Sequence, residues 1–182
     1  IYVSIILMIT TSALVLHTYP ILEKDMVVEL FTKDVGRIRA FVKYAQSKKP
    51  RFGGLLNTMN YVLVELIKKK DTYYIRHIRL ETEFVNLKKS YKKMALGYHF
   101  IRLTQSLIQY NQENDGLFKV MIQSFKELDL ESGSDLSALK KYVYHKILEL
   151  EGIMPKHKVT LSEKDYLNLI QEYTHQIVKE RL

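Results

Sequence analysis

The chain contains no cysteine. That excludes disulfides, thiol nucleophiles and cysteine-ligated zinc, and it fits a reducing cytoplasm. Tryptophan is also absent, and the 182 residues hold only three prolines and seven glycines. Motifs that carry enzyme chemistry are missing as well. There is no phosphate-cradling glycine loop, no His-Glu-x-x-His and no Gly-x-Ser-x-Gly; Gly53-Gly54 is a pair without a following Lys-Ser or Lys-Thr. The carboxylates are scattered, with no acidic pairing of the kind a two-metal nuclease needs. His17, His77, His99, His145, His157 and His175 show no ligand spacing. These absences count against the enzyme readings, and no catalytic or metal-ligating residue and no cofactor is expected. Acidic residues are in deficit too. Twenty Asp and Glu face 28 Lys and Arg, for a net charge of +8. Such a balance favours an anionic partner, nucleic acid or a membrane surface, with simple solubility as the alternative.

No hydrophobic run reaches the ~20 residues of a membrane span. Ile1–Leu16 is nearly uncharged but ends at His17, and no positive segment precedes it as in a secretory signal. It reads as an extension, Ile1–Leu7, before a start at Met8, and a first strand, Ile9–His17; a membrane anchor is the rival use.

What is present concentrates between residues 24 and 54. Two strand-like runs, Met26–Thr32 and Arg37–Tyr44, flank a turn at Lys33–Gly36, and a basic loop, Gln46–Arg51, leads into Phe52-Gly53-Gly54. From Lys33 to Arg51 seven basic residues (Lys33, Arg37, Arg39, Lys43, Lys48, Lys49, Arg51) stand against one acid, Asp34. Alternation places Arg37, Arg39 and Phe41 on one face and Ile38, Ala40 and Val42 on the other. Each cation can neutralise a phosphate, whereas Phe41, Tyr44 and Phe52 can stack on bases. Nothing in the pattern reads a base edge, so it is positioning chemistry.

Further strands are expected at Tyr61–Ile67 and Thr72–Leu80, joined by a basic tip, Lys68-Lys69-Lys70. Thr18-Tyr19-Pro20 should break the first strand, because proline donates nothing to a ladder. Five short antiparallel strands suggest a small closed barrel of the OB type; an SH3-like barrel or a sandwich fits the same count. After Glu83–Asn86 the apolar period changes to three and four. One helix should bury Tyr91, Met94, Ala95, Tyr98, Ile101, Leu107 and Ile108. A second, capped at Asn114 or Asp115, should bury Leu117, Val120, Met121, Phe125 and Leu128. A third, capped by Ser134 or Asp135, should bury Leu139, Tyr142, Val143, Ile147 and Leu150, and stop at Gly152 and Pro155. A fourth follows Ser162 with Tyr166, Leu169, Ile170, Tyr173 and Ile177 inward. The expected class is α+β: a five-stranded β domain over 8–83, then an all-α domain over 84–182.

Asp25, the run Val27–Thr32 and Gly36-Arg37-Ile38-Arg39 resemble the bacterial recombination mediator family RecO. The basic run ending Arg51-Phe52-Gly53-Gly54 is similar to a family feature, Leu117-Phe118 sits where the family carries Leu-Phe, and Leu148–Pro155 looks like its late Leu-Leu-x-x-x-Gly-Tyr-x-Pro motif. The resemblance implies an N-terminal OB fold that binds single- and double-stranded DNA and anneals complementary strands. It also implies contacts with RecR and with the acidic C-terminal tail of single-stranded DNA-binding protein (SSB), help in loading RecA during gap repair, and a cytoplasmic, nucleoid-associated setting. Many relatives carry a four-Cys zinc module after the Gly-x-x-Pro motif. Here Lys156–Leu161 takes that place, so the resemblance is to a short variant without zinc, and His157 reads as a solvated loop residue. The DNA set is then Lys33, Arg37, Arg39, Lys43, Lys48, Lys49, Arg51 and Phe52. Lys92, Lys93 and Arg102 are candidates for the basic rim of a pocket for the SSB tail. A rival reading makes the helical part a protein-interaction adaptor and the barrel its scaffold.

Overall fold

The computed structural model describes residues 7–21, 23–45, 52–130, 135–154 and 161–180. Five strands come first: β1 (Leu7–Ile21), β2 (Asp25–Thr32), β3 (Gly36–Val42), β4 (Tyr61–Lys69) and β5 (Thr72–Thr82). Five helices follow: α1 (Val85–Lys89), α2 (Tyr91–Leu107), α3 (Asp115–Asp129), α4 (Leu136–Leu150) and α5 (Glu163–Glu180). The chain divides into two compact units, Ile1–Phe84 with Ile108–Asp115, and Val85–Leu107 with Gly116–Leu182.

In the first unit the sheet closes in the order β1-β2-β3-β5-β4. Four of its ladders are antiparallel, but β3 and β5 run parallel through Ala40–Tyr73 and Phe41–Tyr74. The expectation of an all-antiparallel set is therefore corrected at this seam. Alternate residues fill the interior: Ala13 and Val15, Val28 and Leu30, Ile38, Ala40 and Val42, and Val62, Val64 and Leu66. Register shifts change the phase. β5 sends Tyr73 and Ile75 inward, exposes both Arg76 and His77, and then turns Ile78 and Leu80 toward the core. The register shift opposite Glu65 and Leu66 produces the change, which simple alternation misses. A second shift, between Val15 and His17, sends the Val15 backbone to Met59 and Asn60.

β1 also runs past the expected break. Pro20 lies in the ladder opposite Met26, but β4 pairs with β1 only as far as Leu14. On that flank a missing N–H forfeits no ladder bond, so the strand continues.

The turn between β2 and β3 is bound on all sides. Thr32 Oγ1 donates to the Gly36 carbonyl and accepts from the Val35 N–H, and Thr11 Oγ1 donates to Asp34 at 2.6 Å. Gly36 has φ +75°, and a Cβ there would lie 1.9 Å from the Gln112 carbonyl oxygen. Only glycine admits the 108–115 segment, which Asn111 fastens by donating its N–H to the Arg37 carbonyl at 2.7 Å.

In the second unit Asp129 accepts from the Leu87 N–H of α1, a helix absent from the expected set. Asp135 caps α4, accepting from Ser137 N and Ala138 N. Ser162 and Asp165 bond reciprocally at the start of α5. Two helices are rotated from their expected faces. In α2, Tyr91 and Tyr98 are exposed, whereas Gly97, Phe100, Ile101, Leu103, Thr104 and Leu107 are buried. In α4, Tyr142 and Leu150 are exposed while Tyr144 and Leu148 are buried. Tyrosine reads as apolar in a periodicity count, yet its hydroxyl needs a partner when buried. Tyr144 has one, His99 Nε2 at 2.6 Å. Burial pushes the Tyr144 hydroxyl up to about 12. Burial, then Lys140 and Arg102, lowers His99. Both groups are thus neutral near pH 7. Of the expected face of α5, Tyr166 and Ile170 are buried, and the side chain of Ile177 lies outside the described residues.

Gly36 and Gly152 have similar φ, +75° and +72°, but among the described residues no atom lies within 4 Å of where a Cβ on Gly152 would stand. Gly152→Ala should cost about 1 kcal/mol from backbone strain alone. Gly36→Ala should cost roughly 2–4 kcal/mol, because strain and displacement of the 108–115 segment combine. Urea unfolding of the two variants measures the difference; equal losses would contradict the close approach.

Candidate nucleic-acid interface

Antiparallel pairing of β2 and β3 sets Glu29 opposite Arg39 and Phe31 opposite Arg37. The β3 alternation holds: Ile38, Ala40 and Val42 are buried, and Arg39 and Phe41 are exposed. Arg37 shares their face but not their situation. Its Nε donates to Glu29 Oε1 at 2.7 Å, one guanidinium nitrogen donates to the Ile108 carbonyl at 3.1 Å, and the other to the Tyr110 hydroxyl at 3.2 Å. Its side chain is 14% exposed, and that of Glu29 is 0%. A buried carboxylate is tolerated only with charge compensation and filled lone pairs. Glu29 has both, since Tyr19 and Tyr110 also donate to Oε2 at 3.0 and 3.3 Å. Burial and the adjacent Glu29 charge raise the Tyr19 hydroxyl above its ordinary value, which keeps it a donor. Arg37 is therefore an internal brace, which the count of basic residues could not distinguish from a surface cation.

Arg39, two residues on, has a different setting. Its guanidinium lies 4.8 Å from the Tyr110 ring centroid and 5.7 Å from that of Tyr19. No hydrogen bond or ion pair engages it among the described residues. Lys33 stands exposed at the tip of the bound turn, and Lys43 stands exposed just beyond β3. Tyr44, 60% exposed, follows Lys43, with its N–H donated to Asp25.

A groove of about 270 Å³ follows the β3–β5 seam, lined by Phe41, Lys43, Ile67, Lys69, Tyr74 and Arg76 among others. The Phe41 and Tyr74 ring centroids are 5.8 Å apart, and Lys69 Nζ sits 6.0 Å from the Tyr74 ring. Arg76 pairs with Glu65 at 3.1 Å. Aromatic faces beside cations suit a sugar–phosphate strand with partly unstacked bases.

Other expected residues are placed differently. Phe52 is half-buried against the barrel core, with φ 100°. That packing opposes its use as an exposed stacking surface. Lys48, Lys49 and Arg51 lie outside the described residues, as do Ser134, Pro155 and His157. In the helical unit Lys92 and Arg102 are exposed on α2, whereas Lys93 donates through Nζ to the Leu130 carbonyl at 2.5 Å, at the end of α3. A lysine there satisfies a carbonyl that the helix leaves open. Among the described residues no group of three or more His, Asp or Glu is placed to hold a metal ion. None of the described helices is long and apolar enough to cross a membrane.

Sequence reasoning missed Tyr19, Tyr74 and Tyr110. Tyr74 alternates within a visible strand and could have been paired with Phe41 only from the parallel seam. Tyr110 carries no local signal, because its partner Arg37 is 73 positions away. The brace makes a direct prediction. Glu29→Ala leaves Arg37 largely buried without its counter-charge and should cost about 3–5 kcal/mol of stability. Arg39→Ala should change stability by under about 1 kcal/mol. Chemical denaturation of both variants reads the contrast, and equal effects would remove the distinction between the two arginines.

Residues 7–84 match the family described as recombination protein O N terminal. The chain is 30% identical over 151 residues to the DNA repair protein RecO of Caldanaerobacter subterraneus, a match covering 80% of this chain and 58% of that protein. It is 28% identical over 152 residues to the DNA repair protein RecO of a Thermoanaerobacter species, covering 82% and 60% respectively. Against the protein of the same name from Clostridium novyi it is 29% identical over 142 residues, covering 78% and 55%. The chain spans less than two thirds of the length of these relatives. The similarities support a distant relationship to the RecO family.

Proposed function

We propose that this chain is a RecO-like DNA-repair mediator whose barrel is the DNA-binding part. One observation carries the reading. Exposed Lys33, Arg39 and Lys43, together with the Phe41–Tyr74 groove, occupy the outer wall of a five-stranded barrel within the 7–84 match. The strand order β1-β2-β3-β5-β4 with a parallel β3–β5 seam supports an OB-type barrel, a fold that holds oligonucleotides across its outer strands. On this reading residues 8–83 form the DNA-binding domain and 84–182 a helical interaction domain. The protein binds single- and double-stranded DNA by phosphate neutralisation and stacking, and anneals complementary strands. It makes and breaks no covalent bond. RecR, the acidic SSB tail and, indirectly, RecA are its partners in the cytoplasm. Exposed Lys92 and Arg102 on α2 are the proposed rim for the SSB tail; Lys93, turned to Leu130, is a weaker member.

Annealing of complementary oligonucleotides at 50 and 200 mM salt tests this function. With about five phosphates neutralised, single-strand affinity should fall on the order of 100-fold across that interval. A Lys33→Glu/Arg39→Glu/Lys43→Glu variant should lose binding by at least about tenfold and anneal no faster than buffer. Arg37 is left intact, since a glutamate there would face buried Glu29. Salt-insensitive binding, or annealing untouched by the triple reversal, would overturn the DNA reading in favour of a helical adaptor carried on a barrel scaffold.

A further inference from the structure

The two tyrosines around Glu29 do more than fill its lone pairs. Their hydroxyls are anchored on a carboxylate with no exposure, and Arg37 holds that carboxylate from the other side. Both rings are thereby fixed by their far ends. Arg39 lies against these two rings, with its centre 4.8 Å from one centroid and 5.7 Å from the other. A flat guanidinium placed on aromatic faces keeps its in-plane N–H donors available while losing rotamer freedom. A flexible surface arginine loses that freedom only when it binds, which weakens its contact.

We propose that Tyr19 and Tyr110 are positioning residues that hold Arg39 in advance as a fixed, bidentate phosphate contact, and that the 108–115 segment is thus part of the DNA surface. The inference rests on the DNA-binding reading and deepens it. Lys33 and Lys43 are exposed cations by contrast; neither has a ring contact among the described residues. One segment thus enters the site from far along the chain. Tyr110 bridges to Arg37 in parallel, and Gly36 admits the adjoining Gln112 carbonyl. The segment is fastened to β3 by backbone contacts, and its ring by the hydroxyl on Glu29.

The test separates charge from preorganisation. Binding of a labelled single-stranded oligonucleotide is titrated at several salt concentrations for wild type, Arg39→Gln, Tyr110→Leu and Tyr110→Phe. Arg39→Gln should lower affinity and reduce the salt slope by about one phosphate contact. Tyr110→Leu should lower affinity by about three- to tenfold with the slope unchanged, because the charge remains and only its placement is lost. Tyr110→Phe keeps the ring and the Asn111–Arg37 backbone tie but removes the hydroxyl anchor, and should bind between wild type and Tyr110→Leu. In the free protein, the Arg39 Nε–Hε resonance should show an aromatic ring-current shift that Tyr110→Leu reduces more than Tyr110→Phe does. Tyr110→Leu binding as tightly as wild type, or an Arg39 resonance without a ring-current shift, would overturn the positioning role while leaving the DNA reading in place. A wild-type protein that shows the ring-current shift but binds no DNA at low salt would overturn the DNA reading itself, and with it the phosphate assignment.

Discussion

The burial of Glu29 is the constraint on which the outer wall of the barrel depends. A carboxylate with no exposure on the β2–β3 face must be neutralised and hydrogen-bonded, and the protein meets both needs from three directions. Arg37 comes from the neighbouring strand, Tyr19 from β1, and Tyr110 from a segment between α2 and α3. The last of these requires the 108–115 segment to lie against β3, which in turn requires glycine at position 36. A single buried charge thus links the turn chemistry, the placement of a distant segment and the setting of Arg39. It also divides the basic stretch by role: one arginine braces the wall, and the next faces solvent beside two rings.

Much of the barrel was legible in the residues. All five strands fall where β-branched and aromatic runs predict them, and the inward set Ile38, Ala40, Val42 follows from alternation alone. Three features were not legible. Pro20 is a strand residue because β4 ends before reaching it, a fact about a neighbour. The bulge in β5 changes which side chains face inward after Ile75, and bulges carry no periodic signal. The parallel seam joins Phe41 to Tyr74, which no count of strands reveals. Among the proposed site residues, Arg39, Lys43 and Phe41 were visible as an alternating basic face. The brace was not, because a charge count treats Arg37 and Arg39 alike and Tyr110 is remote.

The helical unit shows the same limit in another form. Four of its helices were legible from period and caps, Asp135 and Ser162 among them, but α1 was not, and the faces of α2 and α4 were turned by the tyrosines. Tyr91, Tyr98 and Tyr142 are exposed, and Tyr144 is buried because His99 meets its hydroxyl. With 13 tyrosines and no tryptophan, the chain assigns aromatic residues to the core, to struts and to the surface alike. Only the location of a hydroxyl partner separates these uses.

On the proposed function, nucleic acid would lie on the outer wall of the barrel, between the Tyr19–Arg39–Tyr110 cluster and the Phe41–Tyr74 groove. Photo-crosslinking of a bromodeoxyuridine oligonucleotide, with the linked peptides mapped by mass spectrometry, measures this placement directly. Adducts on peptides carrying Tyr19, Phe41, Tyr74 or Tyr110, lost on addition of unlabelled DNA, are the predicted result. Adducts confined to peptides of the helical unit would contradict it.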